Sequence, residues 1–535
     1  MKVDVGYVSF SAVGENRDEQ NVRLRADGLG RLVTLDAAIR RPDVFRETLG
    51  ALFDFLLGDA PTVRRSSATR GNDADGVADA RSAYWAARSR LTRNAALDDR
   101  DHWRRLLPLD PLVTVADEVV TIEAMAGDES TYACLTLDRY DALESPGKAV
   151  FGTSFGTSFV ASSWRFVQQL GTLRADRATR LDIDFLSTDS AALSRTLAPP
   201  PGWMHRFLLL HAAMALPMRR ARLDRDCVAA MLSELARRPK QPDAVDVHLL
   251  DGQPPQLAVG PKRRRFASHG GRFEGVPTDP DDPIRLHGLQ PLAKLARLLP
   301  LAPTVELCCL GSGQPSFWIA RVPGMRLVVV CTGWTHADWD AGLSLETLTP
   351  PSRPEEQTLA DAAATLRARG SIPRDALPAA LDCDPVDAAL IADTLARRGE
   401  LLFDLADQEY RSRPILRQPI DFARLPRNAE AAAAAALAGA VRVRDTRSFR
   451  GGRFVAGLVD RHFCRAVIDD GIGRPVRNST CDCHRRRART SDAGPCRHVI
   501  ALLDAAFGPP ALASVDEWFE RIAQPTTQPT TQPVG

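Results

Sequence analysis

The sequence predicts a mixed α+β protein that is built from several domains. Its 535 residues are too many for one ordinary hydrophobic core, because domains average about 150 residues. A hydrophobic share of 44% and a charged share of 25% are typical of globular proteins. Runs of strand-forming residues dominate residues 110–350, whereas helical periods dominate residues 357–400. These three observations favour a β-rich N-terminal region that is followed by smaller units.

The N-terminal region is predicted to have two parts. Residues 1–109 form an α/β segment with a helix over Val44–Leu57. Residues 110–350 form a β-rich α+β domain, because three consecutive runs rich in Val, Leu, Ile and Cys have the composition of buried strands. These runs are Val305–Leu310, Ser316–Val322 and Arg326–Thr332.

Residues 355–415 have the pattern of three helices and a hairpin. Asp384 followed by Pro385 makes a good N-cap and first turn for the third helix, and Gly399 ends it. A hairpin around residues 404–407 comes next. This is the element order of a winged helix, so the middle domain is predicted to be winged-helix-like.

The charge of the third helix argues against a role in a DNA groove. It carries Asp387 and Asp393, and its two arginines, Arg397 and Arg398, lie at its end. A helix that reads a major groove is normally basic, because it lies between phosphates. This unit is therefore predicted to pack or to bind protein, and the DNA-binding alternative stays open.

Three cysteines and one histidine occur in two close pairs near the end of the chain. Cys481-Asp-Cys483 is followed after twelve residues by Cys496-Arg-His498. In a reducing compartment such a cluster indicates metal binding rather than disulfides. Three thiolates and one imidazole complete a tetrahedral zinc site with no open position, so we predict one structural Zn²⁺ and no metal-activated water.

Two strands and a helix are predicted around these ligands. The strand-like runs Arg453–Val459 and Phe463–Ile468 form a hairpin, and an apolar helical period begins at His498. Residues 440–508 are therefore predicted to form a small ββα zinc finger. A unit of this size depends on its metal for folding.

Two neighbouring residues are weaker ligand candidates. Cys464 lies inside a predicted strand, where a cysteine usually belongs to the core. His484 directly follows Cys483, and adjacent side chains usually point away from one another. Both are predicted not to bind the metal.

The ligand pattern and element order resemble the SWIM zinc finger, whose pattern is Cys-x-Cys, a variable gap and Cys-x-His. All four ligand positions match, and so does the apolar helix after the last one. The resemblance implies that the zinc ligands are Cys481, Cys483, Cys496 and His498.

Short segments elsewhere resemble a wider group of bacterial SWIM-containing proteins of about this length. The resemblance implies an accessory role in bacterial systems that combine MoxR-type ATPases with von Willebrand A domains. The segments are Asp128–Tyr132, Gly156–Phe159, Leu310–Phe317 and Thr332–Trp339.

The finger is locally basic. Residues 441–500 contain fourteen arginines, no lysine and six acidic residues, although the net charge of the chain is only +2. Such a loop can bind phosphate, balance the charge of the thiolates, or bind an acidic protein. No aromatic residue interleaves with the arginines between the ligand pairs, which argues against base stacking on single strands. The candidate residues for contact with nucleic acid or a protein partner are the arginines between the ligand pairs, Arg485, Arg486, Arg487 and Arg489.

The chain contains no recognised catalytic motif, so we predict that it is not an enzyme. A Gly-x-x-x-x-Gly-Lys phosphate loop, a Gly-x-Ser-x-Gly elbow and a His-Glu-x-x-His helix are all missing from the sequence. Two polar turns remain. We interpret the first as a cap on the core, with a ligand site as the alternative, and the second as a solvated or capping turn. They are Trp334, His336, Asp338 and Trp339, and Asp128 with Glu129.

The sequence thus predicts a zinc-binding, non-catalytic adaptor or regulatory protein whose finger binds protein, nucleic acid or both. Two alternatives stay open. One is a DNA-binding transcriptional regulator that uses the winged helix together with the finger. The other is an enzyme of unrecognised type within residues 1–350.

The termini and the apolar stretches predict a cytoplasmic location. The N-terminus has no signal-peptide pattern, and the most apolar stretch, Phe207–Met218, is too short to span a bilayer, so no membrane partner is expected. Residues 509–535 form a C-terminal tail, which is predicted to be disordered from about residue 524 because of its Gln-Pro-Thr-Thr repeat.

Overall fold

The computed structural model is a mixed α+β protein with several sheets, as the sequence predicts. The residues it describes are 3–7, 12–15, 19–25, 33–56, 77–82, 85–86, 111–126, 129–144, 148–155, 169–170, 172–174, 176–184, 193–197, 202–237, 244–260, 263–312, 314–332, 345, 349–416, 418–425, 433–449, 452–469, 476–483, 496–507, 515 and 518–519.

Strands are the most numerous regular elements among the described residues. In chain order they are β1 (Val3–Tyr7), β2 (Ala12–Glu15), β3 (Glu19–Arg25), β4 (Thr34–Ile39), β5 (Leu112–Val115), β6 (Val119–Met125), β7 (Thr131–Asp138), β8 (Lys148–Val150), β9 (Gly152–Phe155), β10 (Ala178–Asp184), β11 (Leu193–Leu197), β12 (Arg219–Asp224), β13 (Val245–His248), β14 (Gln256–Val259), β15 (Arg264–Ala267), β16 (Arg272–Glu274), β17 (Ile284–Leu286), β18 (Thr304–Cys309), β19 (Ser316–Val322), β20 (Met325–Cys331), β21 (Ser371–Pro373), β22 (Leu401–Asp404), β23 (Glu409–Ser412), β24 (Val441–Phe449), β25 (Gly452–Val459), β26 (His462–Asp469) and β27 (Val476–Cys481).

The α-helices with defined bounds lie between these strands, except for the last one, which follows β27. They are α1 (Pro42–Leu56), α2 (Trp203–Met214), α3 (Arg225–Ala236), α4 (Glu356–Arg369), α5 (Leu377–Leu381), α6 (Pro385–Arg397) and α7 (Arg497–Phe507). Among the described residues, no helix has the length and apolar character that crossing a membrane requires.

A nine-stranded antiparallel sheet forms the centre of the molecule, in the order β16-β12-β18-β19-β20-β7-β6-β5-β9. It contains the three strands predicted between residues 305 and 332. Every residue of β20 and of β6 is buried, because other elements cover both faces of the sheet. Burial on both faces explains why these strands appear in the sequence as continuous apolar runs.

Smaller sheets pack around the central one. The five-stranded sheet, in the order β2-β3-β10-β4-β8, joins strands of residues 1–109 to strands of residues 110–350. Its β3 and β10 are parallel neighbours. The other described sheets are β1-β11, β15-β14-β13-β17, β21-β23-β22 and β24-β25-β26-β27.

The apolar side chains form three cores. The first lies on one face of the central sheet and includes α1, α3 and the five-stranded sheet. The second lies on the opposite face and includes α2 and the helices α4 to α6. The third belongs to residues 434–507.

Helix α2 is buried along its whole length. All twelve of its residues are buried, because it lies in the second core between the central sheet and α6. A helix that is apolar on every side has this position in a large protein. Its polar members, among them His211, therefore need partners inside the core.

The middle segment has the elements α4, β21, α5, α6, β22 and β23 in that order. The Asp384 carboxylate accepts hydrogen bonds from the backbone N–H groups of Val386 and Asp387, at 2.8 and 2.9 Å, so the predicted N-cap is confirmed. Residues Leu390 to Arg397 of α6 are all buried. Only the first turn of α6 has an exposed surface, and that surface is acidic through Asp387.

Ion pairs join this middle segment to the central sheet. Arg326 of β20 lies 2.5 Å from the Asp404 carboxylate of β22 and 2.6 Å from that of Asp407. Arg413, which follows β23, pairs with Glu123 of β6, and both side chains are fully buried. The hairpin is therefore bound to the sheet by charge as well as by the second core.

The last described unit is a four-stranded antiparallel sheet that is covered on one face by α7. The sequence predicted two of its strands, β25 and β26, and the helix. It did not predict β24 as a strand, because this edge strand is exposed along most of its length and carries few apolar residues.

Candidate metal centre

The four predicted ligands lie where the sheet of the finger meets its helix. Cys481 is the last residue of β27, and Cys483 follows it by two residues. Cys496 directly precedes α7, and its carbonyl oxygen accepts the first helical hydrogen bond, from Ile500 N at 3.0 Å. His498 is the second residue of that helix. One pair is thus fixed by the sheet and the other by the start of the helix.

The donor atoms of these residues converge on one point. Three sulfurs and one ring nitrogen all lie within 4.8 Å of one another. His498 Nδ1 lies 3.8 Å from Cys481 Sγ and 3.9 Å from Cys496 Sγ. Cys483 and Cys496 are buried, whereas Cys481 and His498 are half-buried. These four residues can hold a metal ion.

The spacing of the donor atoms is compatible with a tetrahedral ion. Bonds of about 2.3 Å to sulfur and about 2.0 Å to nitrogen place neighbouring sulfur and nitrogen donors of a tetrahedron about 3.6 Å apart. The two measured separations from His498 Nδ1 are 3.8 and 3.9 Å. Three thiols and one imidazole are also donors that a soft or borderline divalent ion prefers.

The protein alone disfavours the thiolate forms of Cys481 and Cys496. A hydrogen bond with Cys464, together with burial, raises the pKa of Cys481 to about 12. The Cys481 thiol and burial likewise raise the pKa of Cys496 well above its usual range, although the backbone N–H of Val499 opposes this. Burial lowers the pKa of His498, and His462 and Arg497 add to the effect. A neutral imidazole is ready to bind a metal, whereas the thiols need a nearby positive charge before they ionise.

Neighbouring polar residues support the cluster. The rings of His462 and His498 lie 4.4 Å apart, and His462 Nδ1 is 2.8 Å from the Asp482 carboxylate. Cys464 is the cross-strand partner of Cys481, and their sulfurs are 3.4 Å apart. Cys464 is fully buried in the third core and is not one of the four converging donors.

Several predicted site residues lie outside the described residues. They are Arg485, Arg486, Arg487 and Arg489 between the ligand pairs, His484, Asp128, and the turn with Trp334, His336, Asp338 and Trp339.

Glu129 differs from its prediction as a solvated or capping residue. It is fully buried, it has a φ of 64°, and its carboxylate pairs with the guanidinium of Arg206 in α2. The prediction was wrong because two adjacent acidic residues in a polar stretch indicate exposure to solvent. The partner that makes burial tolerable lies 77 residues away, and no local pattern indicates it.

A second buried charged group was not predicted. Glu123 accepts a hydrogen bond of 2.6 Å from the Tyr132 hydroxyl, pairs with Arg413, and lies 3.2 Å from His211 Nε2. All four side chains are fully buried. Burial alone would raise the pKa of Glu123, but Arg413, His211 and Tyr132 outweigh it and lower this pKa to about 2. We name these four residues the charged core.

Comparison with known proteins does not assign the chain to a family. A scan against models of protein families finds no match, and no curated protein matches the sequence. Among solved structures, the proliferating cellular nuclear antigen of Entamoeba histolytica is similar over 56% of this chain and 97% of its own, with 11% identity and a TM-score of 0.32. The PCNA2–PCNA3 complex of Sulfolobus tokodaii is similar over 42% of this chain and 89% of its own, with 12% identity and a TM-score of 0.28. At TM-scores this low, neither likeness supports a statement about function.

Proposed function

We propose that this chain is a zinc-binding, non-catalytic adaptor or regulatory protein, whose SWIM-type finger over residues 440–508 binds protein or nucleic acid. The observation that supports the proposal is the convergence of three sulfurs and one imidazole nitrogen, which all lie within 4.8 Å of one another. Zinc is the metal that such a donor set usually holds in proteins. If the four protein donors complete a tetrahedron, the metal has no open position for a substrate or a reactive water.

The proposed role of the metal is to hold the finger together. The third core contains thirteen buried apolar residues, and two of them are the metal-site cysteines Cys483 and Cys496. A core of this size rarely folds alone. Zinc would join the end of β27 to the start of α7 and so fix the sheet against its helix.

The middle segment is proposed to be winged-helix-like in its element order and to serve as a packing unit. Its third helix, α6, is buried from Leu390 to Arg397 between α2 and the rest of the second core. A helix that enters a DNA groove has to present an exposed and preferably basic face. Burial of α6 therefore disfavours the alternative of a transcriptional regulator that reads DNA with this helix.

The proposed partner is another protein of the same bacterial system, such as one with a MoxR-type ATPase or a von Willebrand A domain, and the proposed location is the cytoplasm. Both come from the resemblance of the sequence to SWIM-containing proteins. Capture of partners from the native host, with Cys496→Ser as the comparison, would identify the class of partner.

Metal analysis tests the central claim. Full-length protein from zinc-supplemented culture should contain about one zinc per chain by mass spectrometry, as four filled ligand positions require. Cys496→Ser should lose most of the metal, because a ligand is removed. Cys464→Ala is the matched control, since it removes a buried thiol 3.4 Å from the cluster and should keep the zinc. Wild-type protein without metal, or full zinc content in Cys496→Ser, would refute the site.

A further inference from the structure

The sheet of the finger has two unlike faces. Helix α7 covers the inner face, where Val455, Val459 and Ile468 are fully buried. Gly457 belongs to this face, since a Cβ atom there would lie 2.6 Å from Leu502 Cδ1 of the helix. Side chains alternate along a strand, so the even-numbered residues of β25 point to the opposite, outer face.

The outer face presents apolar and aromatic side chains to solvent. Phe463 of β26 is 46% exposed, and Phe449 of β24 is 42% exposed. Phe449 lies across Gly452, because a Cβ atom there would come within 2.8 Å of its ring. Phe454 and Leu458 of β25 are half-buried on the same face. The face therefore carries three phenylalanines, of which two are largely accessible.

Arginines lie among these rings. Pairing register places Arg442 opposite Leu458, Arg447 opposite Phe454, and Arg465 opposite Ala456, and all three arginines are exposed. Arg465 donates a hydrogen bond of 2.8 Å to Thr480 Oγ1 on the next strand.

Carboxylates are fewer than guanidinium groups on this face. Among the placed side chains of β24 to β26, the one carboxylate on the outer face is that of Asp445. It lies 2.9 Å from the guanidinium of Arg447. Pairing register also places Asp469 opposite Gly452 at the end of this face, so three arginines stand against two acidic residues and the face has a net positive charge.

We propose that this outer face binds single-stranded nucleic acid, with bases stacked on the phenylalanines and phosphates held by the arginines. Every base has a flat π-face that can stack on an aromatic ring, and basic side chains follow the backbone. Phe463 lies opposite Leu458 of β25. Leu458 and Phe454 are four residues apart, which is about 13 Å along the strand. Arg465 lies between them, where it can contact the intervening backbone.

The width of the sheet argues against double-stranded DNA. Four strands at about 4.8 Å spacing span about 14 Å between the outer backbones, whereas a major groove of about 12 Å admits a helix or a two-stranded ribbon. Bases in a duplex are also stacked on one another and are not free to stack on Phe463. An acidic peptide would satisfy the arginines but has no equivalent partner for the rings, so it serves as a competitor in the test.

This inference rests on the proposed function and deepens it by naming the partner class. Anisotropy of a fluorescein-labelled twelve-nucleotide oligothymidylate, titrated with full-length zinc-loaded protein, measures it directly. Phe463→Ala should weaken binding about 5- to 150-fold, which corresponds to the loss of one stacked base. Phe463→Trp should restore it. Phe151→Ala is the matched control, since Phe151 is a 52% exposed phenylalanine of another part of the chain and should leave binding unchanged.

Salt dependence tests the arginines. The double change Arg442→Gln with Arg447→Gln should reduce the slope of log affinity against log salt by about 1.4, from two lost phosphate contacts on a single strand. Arg424→Gln, at a side chain that is 87% exposed outside the finger, should leave the slope unchanged. Replacement of all four arginines at 485, 486, 487 and 489 measures how much of the slope comes from that loop instead.

The outcomes separate the two proposals. Three results with zinc-loaded protein would overturn the inference and leave the zinc-dependent adaptor intact. The wild type could fail to bind oligothymidylate, or it could prefer a duplex or a polyglutamate peptide. The Phe463→Ala variant could also bind oligothymidylate as tightly as the wild type does. Wild-type protein without zinc would instead overturn the proposed function. Phe463→Ala with full zinc content and weakened binding supports both.

Discussion

At the scale of single residues, the charged core around Glu123 is the part of the molecule most sensitive to substitution. Removal of one partner of a buried ion pair leaves an uncompensated charge and costs about 3–5 kcal/mol. Arg413 is such a partner, because it is fully buried and pairs with Glu123 across 290 residues of sequence. Its guanidinium also lies 5.6 Å from the centre of the Phe207 ring.

His211 makes stability depend on pH. Burial and then the charge of Arg413 lower its pKa from 6.5 to about 4, against the opposing effect of Glu123. The unfolded chain therefore binds a proton at a higher pH than the folded chain does. Stability that is present above pH 6.5 is lost as the pH falls toward 4, by up to about 3 kcal/mol.

The variant His211→Gln should lack this loss. Urea unfolding of the wild type at pH 7 and pH 4.5 should show a larger decrease in the free energy of unfolding than the same pair of measurements on the variant. His269→Gln, at an exposed histidine, should behave as the wild type. If the free energy of unfolding depends equally on pH in His211→Gln and in the wild type, His211 takes up its proton at the same pH in the folded and the unfolded chain.

At the scale of elements, prediction succeeded where the signal is local. The strands β18 to β20 were predicted because burial on both faces requires continuous apolar runs. The four converging Cys and His residues could be recognised because the two pairs are each local in sequence. In contrast, β24 has the composition of an exposed loop, since an edge strand needs no apolar face.

Contacts across strands could not be predicted in the same way. The lack of aromatic residues among the arginines between the ligand pairs argued against base stacking, but the strands before the ligands do combine the two residue types. The sheet brings Arg447 next to Phe454 and Arg465 between two rings through pairing register. The pairing of Arg447 depends on β24, which the sequence did not reveal, whereas that of Arg465 depends on the register between β25 and β26.

The start of α6 gives a direct test of a predicted element. Asp384→Ala removes a side chain that accepts two backbone hydrogen bonds, so it should reduce the free energy of unfolding by about 1 kcal/mol. Asp384→Asn should retain most of this stability, because asparagine is an equally good N-cap. Denaturant unfolding of both variants measures the difference, and equal losses would show that the charge rather than the cap matters.

At the scale of the whole molecule, the three cores differ in how they depend on one another. The first and second share the central sheet, one on each of its faces. The third contains its own sheet and helix and the metal-site cysteines. Under the proposed function, a bound metal stabilises the third core, whereas the first and second cores depend on the sheet between them.

Removal of metal should therefore unfold one core only. With an excess of chelator, hydrogen–deuterium exchange should lose protection in residues 452–469 and 496–507, while residues 304–331 keep it. The variant Cys464→Ala, which keeps all four ligands, should respond to chelator as the wild type does. Loss of protection in the central sheet as well would mean that the finger supports the rest of the molecule.

The pairing of Glu123 with Arg413 also has a consequence for synthesis of the chain. When Glu123 has been translated, its partner is still 290 residues away, which takes a ribosome about 15 to 60 s at 5–20 residues per second. His211 arrives earlier, but burial keeps this histidine neutral near pH 7. Until Arg413 emerges, the carboxylate has no buried positive charge to pair with, so the face of the central sheet that carries it stays open to water. Closure of the second core is therefore a late event in the life of the nascent protein.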